Sequence, residues 1–552
     1  MLCAILLADP FTLTGFDDDW SYARVALKFA QTGRLQYNGW GSPLQLIQTL
    51  WAAPWIRLFG FSFPLVQATT IPFSLGFVLL AYATGRRAGL SRQLSAFAAI
   101  GTGTSPLFMP FAASFMTEPC ACFFGMACIL CALRALQAKD PRGATRWLWA
   151  LALAGLLGGA DRQSVWAAPL ALIPCIAWRR RAEPAVRMNS VAAFAALLLA
   201  ITAVLHWLSP PYVGLQIDSS LLRRLLLHKS VTALEWIGQF LLLATELALP
   251  AFILCLPKLR PERRLFNALI ALVIPSLTVL ELLTGGPSAP YGNNTITILG
   301  IDIGQQNNTG VVILPVLAWL VLTGLTNVCA VSAVVYAIRR RWEGTATENN
   351  ALLVFGAFTL SYLALLIPAG LTEFIFDRYT LPLVPLAFLA VLMAASRRRQ
   401  TATPLAWACL LLFAWYGIGT THDYAAAQRA KVSAARLLEH SGVARTRISA
   451  SFEYDAWGQL ERTETARGTR YSDHVANNSA RGFWFELWDH LADLNPDYVM
   501  LNATDSRRPQ VGEFPVEYSA WIPPFRRYIV VWKRADLTVE LEAARMISET
   551  RR

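Results

Sequence analysis

From the first residue to about residue 420 the chain alternates between apolar stretches and short polar turns, and after that the apolar stretches stop. Stretches of roughly 17 to 25 apolar residues can cross a hydrocarbon core of ~30 Å as helices, because a helix rises about 1.5 Å per residue. The pattern predicts spans near residues 1–14, 63–84, 93–110, 118–136, 147–159, 164–178, 190–208, 232–256, 264–283, 312–338, 351–369, 379–395 and 402–420, two of them short. The first carries no basic residue ahead of its apolar run, so it reads as a helix, or part of one begun upstream, rather than a cleaved signal peptide.

The turns between spans sort into two alternating sets. One holds Arg86, Arg87 and Arg92; Arg134, Lys139, Arg142 and Arg146; Arg179, Arg180, Arg181 and Arg187; Lys258, Arg260, Arg263 and Arg264; Arg339–Arg341; and Arg397–Arg399. Lys and Arg accumulate in cytoplasmic turns, so these are expected inside. The other set holds Asp17–Asp19, Thr117–Glu118, Asp161–Arg162, the segments 209–231 and 284–311, and Phe374–Tyr379, all expected at the periplasmic or exterior face. An odd number of spans then places the C-terminal region outside as well.

Within 209–231, Leu221, Leu222, Leu225 and Leu226 oppose Arg223, Arg224 and Lys229, the pattern of an amphipathic helix lying in the membrane interface, as a strut or against a lipid phosphate. Segment 284–311 is rich in Gly and Asn and reads as a cover or a connector; its Asn293 and Asn307 triplets matter only in a glycosylating compartment. From His422 the composition becomes that of a small soluble α/β domain. An amphipathic helix begins there, followed by strand-like RISASFEY, a helix near 484–494, strand-like DYVMLNA, and strands near 514–522 and 527–533. The expected organisation is a transmembrane domain over 1–420, with its first outer loop over 15–62, and an extracytoplasmic domain over 421–552.

Composition agrees with the pattern. Of 552 residues 55% are hydrophobic and 15% charged, where soluble domains carry about a quarter charged residues. The fold class is therefore a polytopic α-helical membrane protein, with about 11–13 spans and a small α/β appendage. The net charge of +12 lies in the membrane-flanking turns, and no basic stripe interleaved with aromatics points to nucleic acid. The 9 cysteines lack metal-knuckle spacing, and the C-x-x-C of Cys128 and Cys131 sits in an apolar run, as packing residues do.

Charged groups at the ends of apolar spans are costly without a role, so they mark candidate chemistry. Asp17, Asp18 and Asp19 precede a helical pattern of Ala23, Ala26, Leu27 and Ala30 that ends at Gly33, with Tyr22 one turn in. Asp17 or Asp18 could serve only as the N-cap of that helix, or the triplet could face a ligand. Glu118 with Pro119 opens another span, where a first-turn acid is the alternative reading. Asp161, Arg162 and Gln163 break two short apolar pieces, either lining a cavity or pairing internally. Arg378 and Tyr379, after Glu373 and Asp377, precede a late span, where Arg378 snorkels to the interface or binds a phosphate oxygen. Carboxylates and arginines converging near one leaflet suit a reaction with a lipid phosphate as leaving group: arginine meets the developing charge, and a carboxylate takes the proton of an attacking hydroxyl. No Gly-rich phosphate loop is present for a nucleotide donor.

The order of parts resembles the C-type membrane glycosyltransferases (GT-C superfamily), in particular the protein O-mannosyltransferase and lipid A aminoarabinose transferase group. The matching stretches are Asp18-Asp19-Trp-Ser-Tyr22 with Gly33, Thr117-Glu118-Pro119, Arg378-Tyr379-x-Leu-Pro382, and a C-terminal outer domain. The resemblance implies transfer of a sugar from a polyprenyl-phosphate donor to a glycan, lipid or protein hydroxyl at the outer face of a bacterial plasma membrane, with inversion. Asp18 carries over as general base, with Asp17 a one-residue alternative in register. Arg378 carries over as a donor-phosphate contact, and Glu118 as a second acid near the acceptor or a metal. Some members of the superfamily use a divalent cation and others do not, so a cation stays open. The rival expectation, a transporter or flippase of lipid-linked glycans, calls for pseudo-symmetric halves, and the chain shows no such repeat.

Overall fold

In the computed structural model the described residues are 1–208 apart from 39 and 41–43, 230–254, 295–301 apart from 298, 310–329 apart from 316, 319–320 and 323, 345–372, 376–396, 401–463, 495–503 and 514–533. Among them six helices are long and apolar enough to cross a membrane: Phe63–Arg87, Glu118–Gln137, Pro184–Leu208, Ala346–Ile367, Asp377–Ser396 and Pro404–His440. The interfacial helix expected within 209–231, the span 264–283, most of 284–311 with Asn293 and Asn307, the basic turns at 258–264, 339–341 and 397–399, Glu373 and the helix near 484–494 lie outside the described residues.

At the N-terminus, residues Leu2–Ala8 form a helix closed by Asp9, which takes left-handed angles (φ 40°) and donates its N–H to the Ile5 carbonyl. Pro10 follows, so the helix cannot continue, and the chain turns along helix 404–440. The expected span 93–110 stops early. Helix Arg92–Gly103 ends at Thr104, and residues 104–117 form a buried, mostly irregular segment. Buried backbone needs partners, and this segment finds them locally through Ser105 and Ser114 and distantly through Asp19 and Gln48.

Helices Pro141–Asp161 and Ala167–Arg179 are joined by a tight turn at 163–166. That turn folds back onto Gly158 and Gly159, where any side chain would collide with Val165 or Trp166. At the opposite ends of these helices the basic residues gather: Arg180 donates to the Ala135 carbonyl at 2.6 Å and pairs with Glu183, and Gln137 donates to the Arg87 carbonyl. Glu118, Arg162 and Arg378 meet at the other end of the same bundle.

Helix Pro404–His440 is 37 residues, about 55 Å at the helical rise, longer than a hydrocarbon core is thick. Its first half exposes Leu405, Leu411, Leu412 and Trp415, as a lipid-facing helix does, while Thr420 near its middle and Asp423, Tyr424, Gln428 and Lys431 in its second half are buried. They are covered by a 4-stranded sheet of order β3-β4-β6-β5, built from Ile448–Ser449, Tyr498–Asn502, Phe514–Ser519 and Arg526–Lys533. β3 pairs parallel with β4; the other pairs are antiparallel, with Met500 opposite Val531 and Val516 opposite Ile529. Ile448, Met500, Ile529 and Val531 pack on Ala427, Val432, Ala435 and Leu438 of the helix. Asp423 accepts the backbone N–H groups of Trp521 and Ile522 and pairs with Arg527 at 3.1 Å, pinning the sheet to the helix. A small hairpin, β1 (Ile296–Thr297) and β2 (Gly300–Ile301), lies beside it.

The run 447–454, expected as one strand, is a two-residue strand followed by helix Phe452–Thr463. The Ser451 hydroxyl accepts the Tyr454 N–H, and Asp455 folds back onto Ser449 and Ala450. These caps start a helix where apolar alternation alone suggested a strand.

Candidate active site

The acidic loop is built by two left-handed turns, Gly15 at φ 106° and Asp17 at φ 54°. Consecutive side chains therefore leave the chain in different directions, and the three acids have separate surroundings. Asp19 is fully buried and accepts the backbone N–H groups of Phe16 and Phe115 and the Gln67 amide at 3.3 Å. Burial pushes its carboxyl up to about 7, against the pull of those donors. Asp17 is buried, ion-pairs with Arg378, and donates its N–H to Glu453 at 3.2 Å. Asp18 alone is half-buried, with a side chain 19% exposed. It is the N-cap residue of helix Asp19–Thr32, yet its side chain makes no capping bond. One oxygen accepts the Trp40 indole N–H at 2.7 Å, and the other lies 3.3 Å from Arg378 Nη2. Burial, with the neighbouring Glu118 and Glu453 carboxylates, raises Asp18 to about 6, while the Trp40 bond and Arg162 oppose that rise.

Two arginines face these acids. Arg378 Nε stands 3.6 Å from Glu118 Oε1, and its guanidinium lies over the Phe376 ring. Its neighbour Asp377 turns away and accepts the N–H groups of Thr295 and Ile296 at 2.9 Å each, which anchors the turn that presents Arg378. Arg162 donates to Glu118 at 2.7 Å and to Thr117 at 2.8 Å, and lies over the Tyr379 ring at 5.0 Å. Asp161 does not face Arg162: its carboxylate accepts the Gln48 N–H at 2.9 Å, and its carbonyl that of Gln45. Tyr22, buried one turn beyond Asp18, is held protonated well above the ordinary phenol range by burial and by the Asp18 and Glu118 charges. Asp17, Asp18, Tyr22, Glu118, Arg162, Arg378 and Tyr379 thus come together, and Asp19 serves the backbone beneath them.

Beside this cluster lies a cavity with Glu118, Arg162, Arg378 and Tyr362 at its polar side and Ala121, Gly125, Val165, Phe358 and Leu381 along its apolar wall. Arg378 Nε and Glu118 Oε2 are buried and form no hydrogen bond among the described residues, while Arg378 Nη1 faces Asp17. A site with guanidinium donors at one end and hydrocarbon along its wall can take a ligand that is anionic at one end and apolar beyond. The three carboxylates converge on a guanidinium. Among the described residues no group of three or more His, Cys, Asp and Glu is placed to hold a metal ion.

Several members of the site gave no signal in the sequence. Glu453 is buried, takes the Asp17 N–H and the Tyr424 hydroxyl (3.1 Å) on one oxygen, and has no hydrogen-bond partner for the other among the described residues. Phe452 packs on Trp20 and on Trp40, the donor to Asp18. A Glu in the first turn of an amphipathic helix and a Trp in a polar turn are ordinary positions, so nothing local singles them out. His422 does not reach the acids; it stacks on Trp521 while Asp423 holds the sheet.

No protein-family model and no curated protein matches the chain. Two solved structures are similar to it over 96% of both chains: ArnT from Cupriavidus metallidurans bound to undecaprenyl phosphate, with 13% identity and a TM-score of 0.41, and the same protein in the apo state, with 12% identity and a TM-score of 0.38.

Proposed function

We propose that the protein is an integral membrane glycosyltransferase that moves a sugar from a polyprenyl-phosphate donor to an acceptor hydroxyl. The observation that carries this reading is the meeting of Arg378 with Asp17, Asp18 and Glu118 at the mouth of a cavity with an apolar wall. In the reaction, the acceptor oxygen attacks the anomeric carbon while Asp18, the half-buried acid, takes the hydroxyl proton. The bond from that carbon to the phosphate oxygen breaks, and its electron pair leaves on the phosphate. Attack opposite the leaving group inverts the anomeric centre. Arg378 and Arg162 face the charge that develops on the phosphate, where low dielectric strengthens their effect. Asp17 and Asp18 both contact Arg378, so a phosphate at this guanidinium competes with them and frees Asp18 to act as base. The basic turns gather at the far end of the bundle, which supports an extracytoplasmic location for this site.

The test is release of polyprenyl phosphate by protein in lipid supplied with a panel of polyprenyl-phosphate sugars. Release is expected from the wild type and is expected to fall by ~100-fold or more in Asp18→Asn with donor binding retained, the usual scale of acid–base catalysis. An absence of release across the panel, or full activity in Asp18→Asn, overturns the reading.

A further inference from the structure

A second cavity lies where the second half of helix 404–440 meets the sheet and the β1–β2 hairpin. Thr420, Tyr424, Gln428 and Lys431 follow one another at helical spacing and line one wall, and Asn502 and Tyr518 line the facing wall. Most polar groups around it are committed within the protein. Thr420 donates to the Tyr416 carbonyl, Tyr424 donates to Glu453, and Arg527 is held by Asp423 and the Ile522 carbonyl. Gln428 differs. Its side chain is only 3% exposed, and its Oε1 has no hydrogen-bond partner among the described residues. A buried amide oxygen that lines a polar cavity and has no partner among the described residues is a group arranged for something held in that cavity.

The charges suggest which class of ligand that is. The Arg527 guanidinium is matched by Asp423, and the buried Lys431 ammonium is set against Glu453, so the cavity does not call for a counter-ion. Its lining mixes amides, phenols and a hydroxyl that both donate and accept. We propose that this cavity is a binding site for an uncharged, hydroxyl-rich sugar, with the Gln428 amide as its central polar contact. This rests on the glycosyltransferase reading only in taking that sugar to be part of the acceptor. Tyr424 then joins the two places: it lines the sugar cavity, packs on Phe16 of the acidic loop, and shares Glu453 with Asp17.

The experiment is ligand-observed saturation-transfer NMR on the full chain in lipid nanodiscs. Methyl glucoside, methyl mannoside and methyl galactoside serve as probes, with wild type, Gln428→Leu and Tyr518→Phe compared. Saturation of at least one glycoside by wild type is expected, with affinity about tenfold weaker in Gln428→Leu and reduced in Tyr518→Phe, each variant shown folded by a cooperative melt. If Gln428→Leu does not fold, Tyr518→Phe decides alone. No saturation by folded wild type means that the cavity holds water only and overturns the proposal; so does saturation that neither variant changes. Polyprenyl-phosphate release without glycoside binding removes the cavity proposal and leaves the transferase. Gln428-dependent binding without release leaves a sugar site and removes the transferase.

Discussion

Glu453 accepts the backbone N–H of Asp17 at 3.2 Å across 436 residues of chain, and so ties the C-terminal sheet region to the acidic loop. Burial pushes the Glu453 carboxyl above its ordinary range, while Lys431 and the Tyr424 hydroxyl pull it back. Glu453→Gln keeps an acceptor for Asp17 but removes a negative charge near Asp18. Under the proposed mechanism the acid limb of the rate profile moves to lower pH in Glu453→Gln, and kcat falls more than tenfold in Glu453→Ala, which loses the acceptor too. A rate–pH profile from 4.5 to 8 checks both; an unmoved limb in Glu453→Gln removes the electrostatic part.

Trp40 works in the opposite direction. Its indole N–H stabilises the Asp18 carboxylate, whose pKa is raised to about 6. Transfer by a carboxylate base rises with pH through that value and holds above it. Trp40→Phe removes the donor and keeps much of the ring packing, so the limb is expected to move upward, with the plateau rate recovered at high pH. A downward shift contradicts Trp40 as the donor that keeps Asp18 basic near neutrality.

Asp19 makes stability fall as pH rises. Its carboxyl is raised to about 7 in the folded protein, whereas an unfolded Asp titrates near 4. The folded state therefore holds this proton more tightly, so the stabilisation it gives is complete below about pH 4 and is lost as pH rises through 7. Asp19→Asn carries no such titration. The melting temperature of Asp19→Asn relative to wild type is expected to rise between pH 5 and pH 8, by thermal denaturation in detergent; a difference that is flat with pH contradicts the buried, raised carboxyl.

The Arg162–Glu118 pair is almost wholly buried, with side chains 12% and 3% exposed. Removing one partner strands the other charge, at a cost of about 3 kcal/mol. Arg162→Met and Glu118→Gln are each expected to lower stability strongly, and the double variant to recover part of the loss. Denaturation midpoints for the four proteins check the cycle, and simple additivity is the contrary result.

Asp423 holds the 520–526 turn through two backbone N–H groups and Arg527. Asp423→Ala is expected to loosen the β5–β6 hairpin, by about 2 to 3 kcal/mol for a lost buried ion pair and its hydrogen bonds. Limited proteolysis then cuts near 514–533 at least tenfold faster, while cleavage of the Arg180–Glu183 turn, far from Asp423, keeps its wild-type rate.

The helical membrane class and the charged groups at helix ends were legible in the linear chain. Hydrocarbon tolerates few polar side chains, so Glu118, Arg162 and Arg378 stood out against apolar runs and could be grouped by which end of a span they occupied. The division of labour within Asp17–Asp19 could not be read in that way. The three are adjacent and chemically identical, and only the left-handed turn at Asp17 sends one to Arg378, one to Trp40 and one beneath the loop. The C-terminal end of the first helix was not marked by apolar content either: it is set by Asp9 in a left-handed conformation and by Pro10 after it. Glu453 and Gln428 were invisible because each sits in an unremarkable amphipathic pattern. Periodicity over a few residues reports which side of a helix is buried, but what a buried polar atom meets there is set by packing between segments hundreds of residues apart.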